Sequence, residues 1–116
     1  MPRMSKPPAP LEKEIEKKIC DYAKKHGCYV RKFTSPNQRS VPDRLFIAPG
    51  GAVGFLEVKR GGEKPTKGQL YEMGLLKVVG ATVDWCDNVE KGKQFVDDLL
   101  ALGRSNMPLR KGDFWE

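Results

Sequence analysis

The chain has 116 residues, 39% of them apolar and 31% charged, and its 21 Lys and Arg against 15 Asp and Glu leave a net charge of +6. That length holds one core and excludes two. The charge points to a polyanionic partner, nucleic acid first, or simply to a soluble basic surface. The three cysteines, Cys20, Cys28 and Cys86, are odd in number and form no CxxC pair. This argues against a disulfide framework or a thiolate zinc site and for buried thiols. No apolar run approaches a membrane span or a signal segment, so an intracellular protein is expected.

In chain order, residues 1–9 are rich in proline and basic side chains and read as a flexible arm. The spacing of Leu11, Ile15, Ile19, Tyr22 and Ala23 predicts a helix from 10 or 11 to 26, closed by Gly27. His26 sits at that helix end, where a basic residue suits the dipole, and is given no catalytic role. Residues 28–34 read as a strand and 35–40 as a loop. Residues 44–48 and 52–59 are two strands turned through Pro49-Gly50-Gly51, a hairpin signal. A basic, glycine-rich connection over 60–65 leads to Thr66, which with Gln69 fits a capping box. The helix it opens ends near Gly80, and residues 81–86 form the next strand. A last helix over 88–102 is capped by Asn88 and stopped by Gly103. The tail 104–116 is polar and basic, with Phe114 and Trp115 near its end. The order αβββαβα, with a connection of parallel-crossover length between strands 52–59 and 81–86, predicts an α/β domain: a small mixed sheet flanked by helices.

Alternation along 52–59 turns Gly54, Leu56 and Val58 to one face and Val53, Phe55, Glu57 and Lys59 to the other. If Ala48 pairs with Ala52, Asp43 lies directly across from Glu57, with about 5 Å between Cβ atoms. Another loop closure misaligns the two, and then these charges are the solvated surface of a plain hairpin. In the aligned register the carboxylates repel unless a proton or a cation sits between them. Mg²⁺, which takes oxygen ligands, is a better bridge than Lys59.

"PD" at 42–43 and "EVK" at 57–59, behind an acidic amphipathic helix and ahead of a βαβ crossover, resemble the PD-(D/E)XK nuclease superfamily. "KFTSP", "VPDR", "PGG", "LEVK" and "PTKGQL", in that order over roughly residues 11–100, are similar to the blocks of its VRR-NUC family, in the small stand-alone form of phage and bacterial genomes. Ser40 departs from the pattern, which often has Gly before "VPD". The resemblance implies a restriction-endonuclease-like fold and a VRR-NUC domain over 10–103, between the arm 1–9 and the tail 104–116. It implies a deoxyribonuclease that hydrolyses phosphodiester bonds with Mg²⁺ or Mn²⁺ and favours branched DNA. Stand-alone members resemble homodimeric Holliday-junction resolving enzymes.

Carried over by the same resemblance, Asp43, Glu57 and the main-chain carbonyl of Val58 would bind the metal. Lys59 would orient or activate the attacking water, and Gln69 matches the glutamine that follows the ExK strand. An acid of the first helix completes the set. Glu16 is the first choice, since its distance from the His26-Gly27 stop resembles that in archaeal junction-resolving enzymes. Glu12, four residues earlier on the same face, is the second, and Glu14 points elsewhere. All three also fit as first-turn acids favoured by the helix dipole, and Gln69 fits as a capping residue alone.

Arg31, Lys32, Arg39, Arg44 and Arg60 flank the site in sequence and are expected to hold DNA phosphates, which fix register without reading bases. Lys64 and Lys67 read as solvated charges. The helix over 67–79 carries Leu70, Met73, Leu75, Leu76, Val78 and Val79 on more than one side, with Gly74 at its middle. A two-fold dimer interface is expected there, joined by Phe114 and Trp115. Two alternatives stand beside the resolvase reading: a catalytically silent basic DNA-binding module on the same fold, and a monomeric flap or single-strand nuclease.

Overall fold

In the computed structural model, which describes residues 8–36 and 40–107, the buried stripe Ile15, Ile19, Cys20 and Ala23 makes Glu12–Lys25 the first helix, α1. Its first turn carries Glu12 and Glu14 and its last Lys24 and Lys25, matching the macrodipole. Tyr29–Lys32 (β1), Arg44–Ile47 (β2), Val53–Val58 (β3) and Thr82–Cys86 (β4) form one sheet in the order β1-β2-β3-β4. The first two pairings are antiparallel, and β3 with β4 is parallel. The helix Lys67–Val78 (α2) makes the crossover between β3 and β4, and Val89–Ser105 (α3) closes the chain. This is the αβββαβα mixed sheet flanked by helices expected from the sequence. Among the described residues no helix is long and apolar enough to cross a membrane.

The core lies on one face of the sheet. Val30, Phe46, Leu56, Val58 and Cys86 meet Ile15 and Ile19 of α1 and Phe95, Val96 and Leu99 of α3. All three cysteines are buried and free, as expected, and burial pushes the Cys86 thiol up to about 12. α2 packs on the opposite face, toward β4. Of its residues only Met73 is buried, while Leu70, Tyr71, Leu75 and Val78, with Val79 just beyond the helix, stay exposed.

The hairpin closes as the aligned register requires. Ala48 N–H donates to the Ala52 carbonyl at 2.8 Å, and the ladder runs from Ile47 opposite Val53 to Arg44 opposite Leu56. Gly50 and Gly51 take positive φ of 95° and 85°, a turn that L-residues with side chains resist. The expected stop at Gly103 is wrong. α3 runs through it to Ser105 and ends at Asn106. Gly103 is buried because α3 touches the hairpin turn there. A Cβ on Gly103 would lie 2.1 Å from the Pro49 carbonyl oxygen, and one on Gly50 would lie 1.9 Å from the Gly103 carbonyl oxygen. The glycine serves an approach of two backbones, not a helix end.

Candidate active site

One step beyond the end of the ladder, where Arg44 lies opposite Leu56, the same register sets Asp43 opposite Glu57. Asp43 is held there by its backbone, whose carbonyl accepts from Phe33 N–H at 2.8 Å. Glu57 is the only buried charged residue among those described, at 4% exposure. A hydrogen bond joins the two carboxyls. Burial raises both above their ordinary values; the negative field of Asp43 adds at Glu57, which reaches about 8, and that of Glu16 adds at Asp43. Both shifts favour the two carboxyls sharing one proton near neutral pH.

Lys59 follows Glu57 on the same face, its N–H bonded to the Cys86 carbonyl at 2.8 Å. Gln69 connects these groups to α2. Its Oε1 accepts from Thr66 N–H at 2.9 Å and from Lys59 Nζ at 3.3 Å, while its Nε2 donates to Glu57 Oε2 at 3.3 Å. Thr66 Oγ1 accepts in turn from Gln69 N–H at 3.1 Å, which completes the capping box. The capping and site placements of Gln69, alternatives in the sequence, coexist. The Thr66 N–H needs an acceptor and so takes the oxygen end of the amide. That leaves the nitrogen end for Glu57.

These residues line a pocket of ≈ 490 Å³ together with Glu12, Phe33, Thr34, Ser35 and Val41. Phe33 meets Phe55 edge-on, with ring centroids 5.2 Å apart. The two helix acids sit differently. Glu12 lines this pocket, and burial, followed by the fields of Asp43 and Glu16, raises its carboxyl above the ordinary value. Glu16 is taken by Arg44, whose Nε and Nη2 both bond its Oε1 at 2.5 Å. Glu12, Glu16 and Asp43 can each offer an oxygen with all three atoms within 4.8 Å of one another, a spacing that suits a cation. Val58 lies between Glu57 and Lys59 with its side chain in the core.

The basic residues are spread more widely. Arg44 is part-buried against Glu16, and Arg31 lies over the Tyr29 ring with its guanidinium carbon 4.1 Å from the centroid. Lys32 and Arg60 are exposed, and Arg39 lies outside the described residues. The pocket walls Phe33, Thr34, Ser35 and Val41 were not read as site residues. Their signal was their place in the "KFTSP" and "VPDR" blocks that flank Asp43.

No family model matches the chain. It is 44% identical over 72 residues to "Putative nuclease p44" of Acyrthosiphon pisum secondary endosymbiont phage 1, covering 62% of this chain and 77% of that one. Among solved structures, a VRR_NUC domain matches with a TM-score of 0.71 at 28% identity, over 77% of this chain and 97% of the other. A second, a VRR_NUC domain protein, has a TM-score of 0.70 at 14% identity over 81% and 91%, a likeness of fold. The sheet and the helices around it are thus shared with solved VRR_NUC domain structures. The chain belongs to the VRR-NUC nuclease family.

Proposed function

We propose that the chain is a metal-dependent, structure-selective DNA endonuclease whose reacting centre is the Glu57 pocket. The observation that carries this reading is the meeting of Asp43 and Glu57 across the ladder, with Lys59 and Gln69 beside them. The donor set suits a hard divalent cation: every candidate group is an oxygen, and the central pair already needs a proton to coexist. We assign Asp43, Glu57 and the main-chain carbonyl of Val58 to Mg²⁺ or Mn²⁺. For the helix acid we favour Glu12, which lines the pocket with Glu57 and Lys59, over Glu16, whose oxygen is held by Arg44. When bound, such a cation neutralises charge on a phosphoryl oxygen and lowers the pKa of water.

The chain's own groups do the rest. The Lys59 ammonium orients the attacking water and offsets negative charge gathering on the phosphoryl oxygens. Gln69 fixes the Glu57 carboxylate and the Lys59 ammonium relative to each other through the two ends of one amide. Proton and cation compete for Glu57, so cation affinity rises as pH approaches about 8.

The exposed apolar residues of α2, and the open space over Gly74, support a two-fold pair of chains joined across α2. Two sites related by a two-fold suit paired nicks, and a homodimeric Holliday-junction resolvase is the resulting reading. Phe114 and Trp115, expected at that interface, lie outside the described residues. The test is a four-way junction incubated with Mg²⁺ or Mn²⁺ and wild type, Asp43→Ala or Lys59→Ala. Wild type is expected to make symmetric paired incisions and both variants to lose them. Undiminished cleavage by Asp43→Ala removes the mechanism, and unpaired nicks or shortened ends indicate a monomeric flap nuclease instead. Sedimentation as a monomer at micromolar concentration removes the dimer.

A further inference from the structure

The site pocket shares Glu12 and Asp43 with a second, larger cavity of ≈ 600 Å³ on the other side of the acids. α1 supplies most of its wall, through Lys13, Lys17 and Lys24, and Lys32 and Arg44 close it from β1 and β2. The buried Cys20 lies between Lys17 and Lys24 on the same helix face. Lys13, Lys17 and Lys24 stand four and seven residues apart, which keeps all three in one row. Lys17 pairs with Asp21 at 2.7 Å, but the two side chains are 77% and 57% exposed, so the pair holds little and yields easily. No ion pair closes on Lys13, Lys24 or Lys32 among the described residues.

We propose that this face of α1 is a phosphate track, along which the backbone of one DNA strand runs past Lys24, Lys17 and Lys13 and enters the pocket over the acids. The track rests on the nuclease reading, since it delivers the phosphate that the pocket would cleave. Lys13 to Lys24 spans about 16 Å of helix axis at 1.5 Å per residue, roughly the rise of five nucleotides. The charged side chains change along the path, from the lysines with Asp21 among them to Glu12, Glu16 and Asp43. An acidic peptide is attracted only to the first part. A phosphodiester strand with a divalent cation beneath one phosphate is attracted to both. Lysine ammoniums are point charges, so the track holds any sequence.

The test is the salt dependence of binding of a fluorescent four-way junction and a linear duplex, in Ca²⁺, followed by anisotropy. Each phosphate contact contributes about 0.9 to the slope of log K against log salt on duplex DNA. The triple variant Lys13→Gln, Lys17→Gln, Lys24→Gln is expected to lose about 2 to 3 from the slope, and Lys24→Gln alone about 1. A control triple, Lys18→Gln, Lys25→Gln, Lys77→Gln, removes the same charge from other surfaces and is expected to keep the wild-type slope. Unfolding midpoints of all variants are expected to match wild type, because every substituted lysine is exposed. An unchanged slope in the track variant, or equal losses in track and control variants, overturns the proposal. Wild type that shows the steep slope yet cleaves no DNA in Mg²⁺ or Mn²⁺ overturns the nuclease reading and leaves the track standing.

Discussion

Metal-free protein should lose stability as pH rises from 5 to 8, a direction opposite to ordinary acid denaturation, and Glu57→Gln should abolish most of that loss. In the unfolded chain Glu57 releases its proton near 4.5, whereas in the folded chain burial and Asp43 hold it to about 8. Folding is therefore favoured most below 4.5, and the advantage disappears as pH rises through the folded value. The slope is at most about 1.4 kcal/mol per pH unit. Over the whole window this amounts to something on the order of 3–5 kcal/mol, a large share of a domain stability of roughly 5–15 kcal/mol. Urea unfolding in EDTA at pH 5, 6, 7 and 8 measures it. Stopping at pH 8 keeps out the three thiols, whose ionisation burial also opposes. Glutamine keeps the shape of Glu57 and removes its charge. A wild-type stability that is flat or rises over this range, or a Glu57→Gln variant with the wild-type slope, refutes the picture of two carboxyls sharing one proton. Mg²⁺ added at pH 8 should restore stability to wild type and not to the variant.

Two glycine substitutions should act in opposite directions. Gly74→Ala meets nothing within 4 Å and should stabilise a monomeric chain by about 1 kcal/mol by helix propensity, while weakening any pairing across α2. Gly103→Ala gains the same propensity but would set a Cβ 2.1 Å from a backbone oxygen, so thermal unfolding should show a net loss. Gln69→Glu should keep the cap but set a third carboxylate against Glu57, so that stability falls at neutral pH and DNA cleavage falls at least ~10-fold; Thr66→Ala should cost about 1 kcal/mol in denaturant unfolding. Asp43→Ala and Lys59→Ala should each lower single-turnover cleavage by about 10²-fold or more.

What the sequence made legible were features with local causes. Gly50 and Gly51 can take the conformation a tight turn demands, so the hairpin was legible and strand alternation set Glu57 and Lys59 on one face, while the register that brings Asp43 to them stayed open until the fold closed it. Thr66 and Gln69 announced their helix start in the same way. Less legible were features decided across the chain. Gly103 reads as a stop because nothing near it in sequence reveals Pro49. Glu12 and Glu16 are equivalent by helix periodicity, and what separates them is Arg44, 28 residues beyond Glu16. The lysines of α1 drew no reading from the sequence, because only the fold sets Lys32 and Arg44 in the same cavity wall as them.

The shared amide of Gln69 has a consequence for how such a site decays over evolutionary time. A descendant that abandoned chemistry could drop the half-buried Lys59 at the cost of one long hydrogen bond, yet dropping Gln69 would loosen the first turn of α2. Glutamine at this position would therefore persist in silent relatives, and its presence in a new chain would testify to a helix start rather than to an enzyme. Under the proposed mechanism the informative letters for activity are Asp43, Glu57 and Lys59, which no secondary-structure element needs for its own sake.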